Sequence, residues 1–190
     1  MPGRVSAGTV MVPAAFGPGL FLSPGAYSTA LTAGAVDNQL APYRGGNGGE
    51  IRTERYWRGA TVPDDWPDRY FLPDVVTAGV DVLTAVPDND KFDGGHRRTD
   101  GFSNGPPHVA GVVALLRSLD ESLTPTEISG ILTSTARQPG DPFDRPDPNG
   151  DFGHGIVNAA AAAAEVTGRS REVSGQVTNA DGDPVAGATA

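Results

Sequence analysis

The segment GFSNGPPHVAGVVALL, Gly101 to Leu116, sets Ser103 immediately ahead of a long apolar run. From Pro107 to about Leu119 the spacing predicts a helix. Val109, Val112, Val113, Leu115, Leu116 and Leu119 cover most of its circumference, so the helix is expected to be buried rather than merely amphipathic. A serine at such a start has a mechanical meaning. Backbone N–H groups there are unpaired and the helix dipole is positive. A hydroxyl at that point is exposed, and the N–H groups near it can hold an oxyanion. Gly101 and Gly105 would let a substrate backbone come close. Spacing alone equally describes, and favours, an ordinary N-cap serine.

The rest of the chain reads as short strands followed by helices. Val10 to Ala14 and Leu31 to Val36 are short apolar runs next to turn residues, the pattern of buried strands. Residues 44 to 70, with a glycine-rich stretch and both Trp57 and Trp66, read as a long surface excursion. Val75-Val76 and Val80 to Val86 are β-branched strand candidates, and Asp88 to Asp100 reads as a charged loop. A second helix has clean start signals: Thr124 as N-cap, Pro125 at the first position and Glu127 at the third. It is expected to run to about Ala136. A third, alanine-rich helix is expected from Ile156 to Val166, stopped by Gly168. After a polar linker at 169–172, residues 173–190 alternate and carry a hairpin turn at Asp181-Gly182. That is the opening of a β-sandwich module left incomplete.

Composition narrows the function classes. Net charge is −9, Lys91 is the only lysine, and Asp outnumbers Glu. Such a surface stays hydrated at high salt, so a halophilic setting is expected, although an ordinary acidic protein would look similar. It argues against nucleic acid as a partner, which needs clustered Lys and Arg. The absence of cysteine excludes disulfides, thiolate metal sites and cysteine nucleophiles. The first residues do not read as a signal peptide, and no run approaches the roughly 18 to 20 apolar residues of a membrane span.

Around Ser103 the pattern Gly101-Phe-Ser-Asn-Gly-Pro-Pro-His-Val-Ala-Gly111 resembles the G-T-S-x-A-x-P-H-V-A-G nucleophile segment of subtilisin-like serine peptidases, the subtilases of peptidase family S8. Four other segments agree in order. Leu31-Thr-Ala-Gly-Ala-Val36 resembles the stretch ending in V-G-A-V. Pro73-Asp-Val-Val76 with Ala78-Gly-Val-Asp-Val-Leu83 resembles P-D-V-x-A-P-G-x-x-I/V. Leu123-Thr-Pro125 to Thr135-Ala136 resembles L-T-P-x-x-I…L-x-x-T-A, and Gly153-His-Gly-Ile-Val-Asn-Ala159 the closing G-x-G-x-V-N/D-A. The tail from Val173 resembles the start of a carboxypeptidase-regulatory-like module.

The resemblance implies an α/β fold, the C-terminal part of a three-layer domain with a mainly parallel sheet, over residues 1–168. It implies a serine endopeptidase acting through an acyl-enzyme, with Ser103 as nucleophile, a protein or peptide as substrate, and an extracellular or cell-surface location. The family's Asp and His lie upstream, in D-T/S-G and H-G-T contexts that this sequence does not contain, so the N-terminal half of the domain is the expected missing partner. His108 reads as a structural histidine, and His96 and His154 as surface or packing residues. The family's oxyanion asparagine aligns with Ala14-Ala-Phe-Gly-Pro-Gly19, where no residue can take that role. Phe102, Asn104 and Gly105-Pro106 depart from the motif, and Pro106 is expected to push residue 105 away from helical geometry. The alternative is a non-catalytic, peptide-binding or surface-interaction remnant. No cofactor is expected. Asp147-Pro-Asn149-Gly-Asp151 has the alternating oxygens of a calcium loop but lacks the glutamate that would complete one, so a turn is favoured.

Overall fold

A computed structural model describes residues 25–45, 47–89, 92–140 and 147–169. The expected strand at Val10 to Ala14, the segment Ala14 to Gly19 and the module at 173–190 lie outside them.

Two of the strands foreseen from β-branched runs form the centre. β1 (Ala33–Val36) and β4 (Val75–Ala78) pair in parallel, with Ala33 opposite Val75 and Val36 opposite Ala78. The closing segment extends this sheet: Ile156 bridges in parallel to Val76, and Val157 N–H donates to the Val76 carbonyl at 3.0 Å. Because side chains alternate across a strand, Val75 and Ala33 face one way and Val76 and Val36 the other. The first pair lies in the main core with Val109, Leu116, Ile128, Ile131 and Val166. The second meets Phe152 in a smaller cluster. Helices therefore cover one face among the described residues, and the loop carrying Phe152 covers part of the other.

Helix α2 (Gly105–Leu119) packs on β1, β4 and α4 (Ala159–Arg169). It starts two residues earlier than the spacing predicts and is less buried. Its buried residues are Gly105, Val109, Val113 and Leu116, a single stripe, while Leu115 is 59% and Leu119 46% exposed. The full-circumference reading is thus corrected to an amphipathic one for the described residues. Helix α3 (Pro125–Ser134) begins at the foreseen cap. Thr124 Oγ1 accepts the Glu127 N–H, and the Glu127 carboxylate accepts the Thr124 N–H at 2.8 Å. Helix α4 starts three residues later than expected, because the sheet claims Ile156 and Val157. Asn158 then caps it, its side chain accepting the Ala161 N–H at 3.1 Å. Gly168 does not end it; the helix runs through Arg169.

Two stretches expected to be irregular are ordered hairpins. Within 44–70, β2 (Gly49–Arg52) leads into the short helix α1 (Thr53–Tyr56) and pairs antiparallel with β3 (Arg69–Leu72). Ile51 and Leu72 bury a small core with Ala26. β5 (Val82–Ala85), inside the strand expected at Val80 to Val86, pairs antiparallel with β8 (His96–Thr99), and within the stretch expected to be a charged loop β6 (Asp88–Asn89) pairs with β7 (Phe92–Asp93). Backbone ladders satisfy themselves whatever the side chains, so charged residues such as His96, Arg97 and Arg98 can form an exposed hairpin strand.

Candidate active site

Ser103 lies in a 3-10 turn, Phe102–Asn104, that runs directly into α2. The turn sits at the C-terminal end of β4: Gly101 N–H donates to the Gly79 carbonyl at 2.8 Å, and Gly79 N–H to the Val36 carbonyl at 2.9 Å. Asn104, which departs from the family motif, anchors the turn. Its side-chain NH2 donates to the carbonyls of Gly79 (3.3 Å) and Thr99 (3.2 Å), and its oxygen accepts the Thr99 hydroxyl at 3.3 Å. Phe102, the second departure, packs edge-on against Tyr43 at 4.9 Å between centroids.

Gly105 is helical, at φ −62° and ψ −58°, which corrects the expectation that Pro106 would drive it out of that region. Part of the clash behind that rule is with the Cβ of the preceding residue, and glycine has none. The same absence lets α2 approach β1. A Cβ on Gly105 would stand 2.6 Å from the Gly34 carbonyl oxygen. The start of α2 is therefore fixed by backbone contact.

Ser103 is exposed, and its hydroxyl has no hydrogen-bond partner among the described residues. A Cβ on Gly101 would lie 3.3 Å from its Oγ, so glycine keeps the space beside the hydroxyl open. The donors available to a developing oxyanion are fewer than a helix start normally offers. Asn104 N–H is turned to the Gly101 carbonyl (3.2 Å) and Gly105 N–H to that of Phe102. Pro106 and Pro107 have no N–H. What remains is the N–H of Ser103 itself.

No histidine is hydrogen-bonded to the Ser103 hydroxyl among the described residues. His108 Nδ1 is 2.6 Å from the Asn104 carbonyl oxygen, so that nitrogen carries the proton and the ring is tied to its own helix. His96 is exposed on β8. His154 does have a carboxylate partner, which sequence reasoning did not find: its Nδ1 stands 2.8 Å from Asp147 Oδ1. That pair lies at the other end of β4, where His154 N–H donates to the Asp74 carbonyl at 2.7 Å. From Asp74 to Gly79 the strand rises roughly 16 Å, so the pair cannot serve Ser103. In the same loop Asn149 Oδ1 accepts the N–H groups of Asp151 (2.9 Å) and Phe152 (3.0 Å), an Asx-type turn. Among the described residues no three His, Cys, Asp or Glu side chains are grouped to hold a metal ion.

Among the described residues, Asp74 is the ionisable group most altered by its surroundings. Its Oδ2 accepts the Thr32 N–H at 2.6 Å, joining the starts of β1 and β4. Burial pushes its carboxyl up to about 7, with the Thr32 bond pulling the other way. It lies at the far end of β4 from Ser103.

The chain matches the model of the Subtilase family over residues 17–155. This chain belongs to the subtilase family. It is 32% identical to bacillopeptidase F of Bacillus subtilis (strain 168) over 164 residues, 85% of this chain and 10% of that protein. With the subtilisin-like protease SBT3.2 of Arabidopsis thaliana it shares 37% identity over 118 residues, 53% of this chain and 15% of the relative. It thus spans a small part of the length of these relatives. Among solved structures it superposes on the prenylagaramide maturation protease PagA with a TM-score of 0.57 at 24% identity, covering 83% of this chain and 50% of that one. On the Clostridium perfringens CspB protease the TM-score is 0.57 at 22% identity, covering 80% and 29%. The subtilase α/β fold, with helices packed on a parallel sheet, accounts for the architecture. No helix among the described residues is long and apolar enough to cross a membrane.

Proposed function

We propose that this subtilase chain carries the nucleophile half of a serine endopeptidase site, with Ser103 as the attacking residue. The observation that carries the reading is the placement of Ser103: exposed and unpartnered, in a turn locked by Asn104 at the C-terminal end of β4, directly before α2. In this reading Ser103 Oγ attacks the substrate carbonyl and gives its proton to a histidine that a carboxylate orients. That histidine and carboxylate come from a subtilase segment with the D-T/S-G and H-G-T contexts, the N-terminal half of the domain. The substrate is a protein or peptide, met outside the cell or at its surface. The 190-residue chain by itself is inactive, because His108 is tied to Asn104 and the His154–Asp147 pair sits at the wrong end of the strand.

A fluorophosphonate probe separates the parts of this reading. The 190-residue chain is expected to remain unlabelled, and labelling abolished by Ser103→Ala would overturn its inactivity. A longer chain that also carries the two upstream contexts is expected to be labelled at Ser103. Absence of label there would overturn the nucleophile assignment in favour of a non-catalytic, peptide-binding remnant. Pro106, which departs from the motif and carries no N–H, is the observation that favours that second reading.

A further inference from the structure

The β2–β3 hairpin carries a feature unconnected with Ser103. A cavity of about 670 Å³ follows β2 and the helix after it, lined by Glu50, Ile51, Arg52, Arg55 and Tyr56. Two of these are basic and one is acidic, in a chain whose net charge is −9. The single acid is already engaged: the Glu50 carboxylate lies 3.0 Å from Arg52 Nε and 3.7 Å from an Arg69 nitrogen. Arg55 is exposed and has no carboxylate partner among the described residues. The Arg52 and Arg69 side chains are 68% and 74% exposed, so their pairs with Glu50 are weak and exchangeable.

An aromatic cluster next to the cavity braces the helix that carries Arg55 and Tyr56. Trp57 contacts the rings of Tyr27, Tyr56 and Trp66 at centroid distances of 5.4, 5.1 and 5.4 Å. Its indole N–H donates to the Tyr70 hydroxyl at 3.1 Å, and that hydroxyl donates to the Ala26 carbonyl. Ring packing of this kind holds α1, and with it Arg55, in one place against β2. In the two-stranded sheet, β2 pairs only with β3 among the described residues; Gly150 packs against Gly48 and Gly49, and from Glu50 onward the other edge has no strand partner.

From these features the geometry points to a docking site for an extended acidic peptide segment. The peptide lies along β2, and its carboxylates reach Arg55 and Arg52. Backbone pairing on an open edge supplies affinity, and charge at alternate side chains supplies selectivity. An arginine fork binds carboxylate and phosphate alike, but only a peptide uses the strand edge that the cavity follows.

Fluorescence anisotropy of a labelled hexaglutamate peptide, titrated with the full chain at low salt, tests this. Neither the readout nor the outcome depends on catalysis, so it stands apart from the fate of the Ser103 assignment. Wild type is expected to bind hexaglutamate and not hexaglutamine. Arg55→Gln is expected to weaken binding by about tenfold or more, as for loss of a charge-assisted hydrogen bond. Arg98→Gln, on the other hairpin, is expected to leave it unchanged. Circular dichroism of each variant verifies that it folds. The inference is overturned by absent binding, by unaltered affinity in Arg55→Gln, or by an equal loss in Arg98→Gln. It is equally overturned if tripolyphosphate binds as well as the peptide, or if sedimentation shows Arg55-dependent self-association in place of peptide binding.

Discussion

Asp74 and Gly105 show how single residues join segments far apart in the chain, the first linking the starts of β1 and β4 and the second seating α2 on β1. The Asp74 carboxyl, normally near 3.8, is held near 7 because burial disfavours its charge more than the Thr32 N–H favours it. The folded state therefore keeps a proton that the unfolded chain has released. The contribution of this group to stability is complete below about 4, declines as pH rises toward about 7, and is lost above that. Urea unfolding from about pH 5 to about pH 8 is expected to show wild type losing stability relative to Asp74→Asn, by roughly 1 kcal/mol per pH unit in the steep part. A difference between the two proteins that stays constant with pH would refute this. The sequence displays Asp74 within P-D-V, but nothing local signals that its carboxyl reaches Thr32, 42 positions away. Gly105 is similar. It reads as a flexible break ahead of two prolines, whereas the closeness of Gly34 makes it a packing residue.

At the level of elements, local signals worked where the chain is self-sufficient. The capping box of α3 is written in Thr124, Pro125 and Glu127, and both of its reciprocal bonds form. Thr124→Ala is expected to lower stability by about 1 kcal/mol, read as a lower urea midpoint with unchanged cooperativity. An unaltered midpoint would mean that burial of Ile128, Ile131 and Leu132 alone sets the helix start. Where an element depends on a distant partner, the local reading drifted. Ile156 and Val157 have helical company in sequence, yet hydrogen bonds to Val76 and Arg137 draw them into the sheet. Strand β5 was foreseen, but its partner β8 and the β2–β3 hairpin were hidden for a related reason. Their strands expose charged and polar side chains, so hydrophobic periodicity, the signal that marks buried strands, is weak there. The stripe on α2 failed in the opposite direction. Six apolar positions are present, but the described neighbours cover one side of the helix.

For the molecule as a whole, charge is the property most open to measurement. With a net charge of −9 and one lysine, self-repulsion opposes the compact state. Raising salt from about 0.1 M to about 1 M shortens the screening length from about 10 Å to about 3 Å. The thermal midpoint is expected to rise over that range, and a fall would argue against the salt-adapted reading of the composition. The sequence by itself determined the family, the order of the central strands and helices, and Ser103 as the residue to examine, because these reside in contiguous motifs whose chemistry is local. The tertiary structure decided what surrounds that serine. It locked the turn through Asn104, tied His108 to its own helix, and placed the His154–Asp147 pair at the other end of β4. Such relations depend on which ends of β1 and β4 come together and on how closely backbones approach, and residues far apart in the chain fix both.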